Sequence, residues 1–91
     1  MRLPRRVSLG GGYRVEVILV PQSWFQQNVD LEDGEQLDGF FENLLGRTQG
    51  PAGRIYIHKK LPHAQKWATY WHEVMHAVHD IAAWDAHRIL T

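Results

Sequence analysis

The feature that most constrains this chain is a long segment without helix-breaking residues in its second half. Between His63 and Ala82 there is no Gly or Pro, and apolar residues recur at helical spacing. One stripe of the helical wheel carries five of them: Trp67, Trp71, Val74, Val78 and Ile81. The pattern predicts an amphipathic helix from His63 to at least Ala82 that packs on the rest of the domain through this stripe.

Two shorter segments have the pattern of β-strands. Tyr13 to Val20 is rich in β-branched residues that alternate with other side chains, and Pro21 ends it. Arg54 to Lys59 alternates isoleucines with polar residues, and Pro62 closes the segment that follows. A strand before the long helix and another near the start of the chain indicate an α+β fold.

The segment between the two strands is ambiguous. Gln22 to Gly34 mixes aromatic and polar residues and is predicted to be mostly loop, with room for one helical turn. In residues 35–46 the apolar side chains recur at helical spacing and Gly46 can serve as a C-cap, which locally favours a helix. Gly39 in the middle of this segment argues against that helix. Residues 47–53 are predicted to be a turn-rich loop.

Length and composition indicate one small folded domain over residues 1–91. The chain is 44% hydrophobic and contains four Trp, three Tyr and three Phe, which is enough for a single core. Residues 1–12 are basic and end in three glycines, so we expect a flexible leader. No apolar run follows the basic residues, and therefore no secretion signal is predicted.

Charge, hydrophobicity and cysteine content limit the classes of partner and of metal ligand that this chain can have. Ten basic residues balance ten acidic ones, which disfavours nucleic acid as a partner. The apolar stretch Val17 to Val20 is too short to cross a bilayer, so we expect a soluble protein with no membrane partner. Cysteine is absent, which suits the cytoplasm and leaves only His and carboxylate side chains as metal ligands. Nothing in the sequence indicates an oligomeric state.

The predicted helix contains the motif His72-Glu73-Val74-Met75-His76, an H-E-x-x-H pattern. Residues four apart lie one turn apart on the same helix face, so both imidazoles can reach one Zn²⁺ ion. On the helical wheel the two histidines lie roughly opposite the apolar stripe. Glu73 is then positioned as the general base that takes a proton from water activated by the zinc.

A catalytic zinc takes three protein ligands and one open position. His79 and Asp80 lie a further turn along the helix, where reaching the ion would require strain. Asp85 is the first carboxylate that can fold back, provided that the helix ends near Ala82 to Trp84. The alternatives left open are His87, His58, His63 and water alone.

These residues resemble a known family, the small gluzincin-type zinc metallopeptidases, which include the minigluzincins and the ImmA/IrrE-like proteins common in phages and prophages. The likeness rests on the strand Arg54 to Lys59, on Leu61-Pro62 and on Thr69 to His79, about a third of the chain. It implies a zincin-like fold in which a small antiparallel sheet of about three strands lies against the active-site helix. It also implies that Leu37 to Asn43 is a strand and that a peptide binds as an added strand.

Carried over by position, the resemblance makes His72 and His76 zinc ligands and Glu73 the catalytic base. The family's third ligand is typically a Glu on a following helix, but no Glu occurs after Glu73, and Asp85 is the nearest positional match. The expected function is zinc-dependent hydrolysis of a peptide or protein substrate. The alternatives are an inactive binding or regulatory module with the same fold and a structural protein that contains the motif by chance.

Overall fold

The computed structural model describes residues 2–47 and 49–90. Its elements, in chain order, are β1 (Arg6–Ser8), β2 (Arg14–Val20), α1 (Gln22–Asn28), β3 (Gly39–Asn43), β4 (Gly53–His58) and α2 (His63–Leu90). The α+β class expected from the sequence is confirmed. No helix among these residues combines the length and the apolar character needed to cross a membrane.

The sheet is mixed and has the strand order β1-β2-β4-β3. The outer strands β1 and β3 pair antiparallel with their neighbours, whereas the central strands β2 and β4 are parallel. The prediction of about three antiparallel strands is therefore wrong: the sheet has four strands and is mixed, with only the two outer pairings antiparallel. Parallel neighbours require a long crossover, and here α1 and β3 supply it between β2 and β4.

The fourth strand comes from the segment expected to be a flexible leader. Val7 of β1 lies opposite Val15 of β2, and Gly10 to Gly12 form the turn between the two strands. All three glycines have positive φ angles, of 83°, 59° and 80°, which residues with a Cβ rarely adopt. The glycine run therefore works as a hairpin turn, and not as a linker.

Residues 39–43 form a strand despite their helical spacing of apolar residues. In β3, Phe40 lies opposite Tyr56 of β4 and Phe41 lies opposite Ile55. The helix that local periodicity favoured over residues 35–46 is wrong, and the strand implied by the resemblance is present over Gly39–Asn43. Pairing with β4 satisfies backbone groups of β3 and outweighs the local preference. Before β3, the helix α1 occupies seven residues of the segment predicted to be mostly loop, which is more than the single helical turn expected there.

The main core lies between the sheet and α2. Alternate residues of the two central strands meet one stripe of the helix there, and the buried members are Val15, Val17, Ile55, Ile57, Tyr70, Val74 and Ala77. A second cluster is built around Val20, Phe25 of α1 and Tyr56, and Trp24 stacks on the Tyr56 ring at 3.9 Å. Both clusters include residues of β2 and β4, so the parallel pair is central to the fold.

The buried stripe of α2 differs from the one predicted. Val74 and Ile81 are buried as expected, but Trp71 is 57% exposed and Val78 is 48% exposed. Tyr70 and Ala77 are buried in their place. The wheel carries two overlapping apolar stripes, and the one with the small Ala77 at its centre packs on the sheet. The other stripe faces outward.

Candidate metal centre

His72 and His76 form a preorganised pair on the exposed side of α2. Their Nε2 atoms lie 3.1 Å apart, and the rings are almost perpendicular with centroids 4.7 Å apart. Two nitrogens bound to one tetrahedral zinc at about 2.0 to 2.1 Å lie roughly 3.3 Å apart. The imidazoles therefore already have nearly the separation that a shared ion requires. Both histidines are exposed, which confirms that they lie away from the core.

Glu73 belongs to the same group but faces the protein interior. One ligand atom from each of His72, Glu73 and His76 can be chosen so that all three lie within 4.8 Å of one another. The Glu73 side chain is only 6% exposed. The local group thus combines two accessible nitrogens with one shielded carboxylate, a donor set suited to Zn²⁺.

Burial also changes the acidity of Glu73. Desolvation disfavours the charged form and raises the pKa of Glu73 above its ordinary value, while the charges of His76 and His72 partly oppose this effect. A carboxylate with a raised pKa is a stronger base. The environment of Glu73 therefore favours proton transfer more than a solvent-exposed helix position would.

A close contact between β3 and α2 sets the position of Glu73. A Cβ atom on Gly39 would lie 2.5 Å from Cγ2 of Thr69, 3.2 Å from the carbonyl oxygen of Tyr56 and 3.3 Å from Cγ of Glu73. Only a residue without a side chain fits between the strand and the helix at this distance. Gly39 thus brings the start of β3 against the motif.

An open cleft of about 410 Å³ lies along this contact. The end of the loop before β3 forms one wall, and Ala68, Thr69, His72 and Glu73 of α2 form the other. Gly39 and Thr69 are the residues of this site that motif reasoning missed. A Gly inside a strand often marks a close approach of another element, so Gly39 was the available signal.

Asp85 lies outside the group. α2 is continuous from His63 to Leu90, so the helix end near Ala82 to Trp84 that Asp85 would need does not occur. Asp85 follows His76 by nine residues, which corresponds to about 13 Å along a helix, and its carboxylate accepts a hydrogen bond from the Tyr13 hydroxyl. The structure gives this side chain a role in joining α2 to the β1–β2 hairpin, and does not bring it to the histidines.

The other candidate ligands also lie apart from the motif. Asp80 accepts a hydrogen bond from Asn43, and His79 lies 4.0 Å from Asp80. Nε2 of His63 accepts a hydrogen bond from Trp67. Within residues 2–47 and 49–90, no further His, Asp or Glu joins the His72, Glu73 and His76 group, and His58 and His87 are likewise outside it.

Comparison with known proteins gives no family for this chain. No protein-family model, curated protein or solved structure matches it. A function for this chain must therefore be inferred from the chemistry of His72, Glu73 and His76.

Proposed function

We propose that this protein is a zinc-dependent metallopeptidase that uses His72 and His76 as its protein ligands, leaves the third ligand position to water, and uses Glu73 as general base. The observation that carries the proposal is the 3.1 Å separation of the two Nε2 atoms beside a buried carboxylate. A zinc ion held by His72 and His76 would supply Lewis acidity and make water more acidic. Glu73 would accept a proton from the attacking water and pass it to the leaving amine.

The position of β3 supports a peptide as the substrate. β3 is an edge strand, and its first residue borders the cleft that also contains His72 and Glu73. An extended peptide can add to such an edge through main-chain hydrogen bonds, which selects for backbone more than for side-chain identity. Because Gly39, His72 and Glu73 line the same cleft, we infer that such a peptide would pass close to the motif.

A second candidate function is a zincin-like binding or regulatory module that holds a metal without cleaving peptides. The observation that favours it is the ligand count. Among the described residues, Glu73 is the only acidic side chain close to both histidines. If Glu73 coordinates the metal as a third ligand, it is not free to serve as the base.

Four variants separate these functions. For the peptidase, His72→Ala and His76→Ala lose both zinc and cleavage of a fluorogenic peptide library, whereas Glu73→Gln keeps zinc and loses cleavage. His79→Ala is the matched control, because His79 lies on the same helix but outside the group and should keep both properties. Zinc content and cleavage are measured on the same samples.

Two results would contradict the peptidase proposal. Loss of zinc from Glu73→Gln as complete as from the histidine variants would make Glu73 a ligand. Full zinc occupancy of the unmodified protein without cleavage of any peptide in the library would favour the binding module.

A further inference from the structure

A second surface of α2, separate from the histidine face, remains apolar and uncovered. Trp71 is 57% exposed, Met75 72%, Val78 48% and Ile89 82%. Exposed alanines continue the same line. We call this line the outer seam and define it by Ala64, Trp71, Met75, Val78, Ala82 and Ile89. A run of apolar residues along most of a helix indicates a docking surface more than chance exposure.

The spacing of the outer seam is that of a helix that pairs with another helix. Ala64 and Trp71, Met75 and Ala82, and Ala82 and Ile89 are each seven residues apart, and Trp71, Met75 and Val78 follow at alternating steps of four and three. This is the a/d spacing of a coiled coil, in which the apolar line repeats every 3.5 residues. One position of that spacing, between Ala82 and Ile89, is Asp85, whose carboxylate accepts a hydrogen bond from the Tyr13 hydroxyl. The expected occupant is therefore another helix.

The order of residue sizes along the outer seam indicates which helix. When two copies of α2 run antiparallel about an axis between Met75 and Val78, each large side chain meets a smaller one. Trp71 lies opposite Ala82 of the second copy, and Ile89 lies opposite Ala64. A two-fold interface requires a surface complementary to itself, and the outer seam meets this condition at three pairs: Trp71 with Ala82, Ile89 with Ala64, and Met75 with Val78.

Charge agrees with a second copy as the partner, and the exposed area limits how tightly two copies bind. The six seam residues carry no charge, so the surface offers no electrostatic feature that would select an acidic or basic partner. Trp71, Met75, Val78 and Ile89 together expose on the order of 500 Å², and a standard interface buries about 800 Å² per partner. The outer seam is therefore smaller than a standard interface, and we expect a dimer that dissociates on dilution.

We propose that two copies of this chain associate through antiparallel α2 helices along the outer seam. On the helical wheel the centre of the outer seam lies about 90° from His72 and about 130° from His76, so association leaves the histidine pair uncovered. The inference is independent of the proposed function. It concerns a face of the helix that neither the sheet nor the motif uses.

Light scattering after size-exclusion chromatography tests the association over a wide range of protein concentration. A chelator is present throughout, so that metal ions cannot bridge histidines of two molecules. The expected result is a mass twice that of one chain at the higher concentrations, reduced to one chain mass in Ala82→Glu. Ala83→Glu is the matched control, since Ala83 is also exposed but lies off the outer seam, and it should remain dimeric.

Cysteine cross-linking tests the antiparallel register, because the natural chain has no cysteine. Trp71→Cys combined with Ala82→Cys should form disulfide-linked dimers on oxidation, whereas Ala82→Cys alone should not. A monomer at every concentration would overturn the proposal, and so would equal dissociation of Ala82→Glu and Ala83→Glu. Efficient cross-linking by Ala82→Cys alone would overturn the antiparallel arrangement in favour of a parallel one.

Discussion

Replacing Gly39 by alanine tests whether the contact between β3 and α2 positions the candidate site. The added Cβ would lie 2.5 Å from Cγ2 of Thr69, far inside van der Waals contact. Thr69 is β-branched and lies in a helix, so few rotamers are open to it. On another side the carbonyl oxygen of Tyr56 is 3.2 Å away. The strand or the helix must therefore move.

The magnitude follows from two opposing effects. Overpacking of a tight contact typically costs about 1 to 3 kcal/mol. Replacing a strand glycine by alanine returns roughly 0.5 to 1 kcal/mol, because the unfolded chain loses less freedom on folding. We expect Gly39→Ala to lower the free energy of unfolding by about 1 to 2 kcal/mol. Zinc affinity should also fall, because the same Cβ lies 3.3 Å from Cγ of Glu73.

Urea denaturation of four proteins measures the effect: the parent, Gly39→Ala, Thr69→Ser and the double variant. Thr69→Ser removes the methyl group that the alanine meets and keeps the hydroxyl. The double variant should therefore recover part of the stability lost in Gly39→Ala, which appears as a favourable coupling energy. If Gly39→Ala is as stable as the parent, or if Thr69→Ser gives no recovery, the close packing is not what requires glycine at this position.

Three further predictions concern the metal site. Zinc at a hundred times its dissociation constant should stabilise the protein by about 2.7 kcal/mol, which corresponds to a rise in Tm of roughly 10 to 20 °C. A melting curve unchanged by zinc and by chelator would contradict a tight site. In metal-free protein, the raised pKa of Glu73 means that the native state binds a proton on this carboxylate more tightly than the unfolded state does. The stabilisation from this group is therefore present below the ordinary pKa of 4.5 and is lost as pH rises through the folded pKa. Denaturant titration at pH 7 should accordingly show metal-free Glu73→Gln to be more stable than the metal-free parent, and this difference should disappear at low pH. A parent more stable than Glu73→Gln at pH 7 would show that the native state stabilises the carboxylate. Asp85→Ala should leave zinc affinity within error in a competition titration because Asp85 bonds to Tyr13, and a severalfold loss would restore Asp85 as a ligand.

Local sequence determined the parts of this protein that depend on short-range geometry. The strands from Arg14 and from Gly53 and the helix from His63 were predictable, because alternation and helical periodicity report which side chains share a face. The pairing of His72 with His76 was predictable for the same reason, since one helical turn separates them whatever surrounds the helix.

Tertiary structure decided everything that depends on what packs against each element. β3 is a strand because its backbone pairs with β4, which its own periodicity does not reveal. α2 has two apolar stripes, and the sheet packs against the one centred on Ala77, which leaves Trp71 exposed. Asp85 could reach the histidines only if the helix ended before it. α2 is continuous, and the Asp85 carboxylate accepts a hydrogen bond from Tyr13, which is far away in sequence. Glu73 is a buried carboxylate for a similar reason, because Gly39 lets the strand lie directly against it. The sequence motif identifies the donors His72, Glu73 and His76. Which of them is buried and which are exposed is decided only when β3 and α2 pack together.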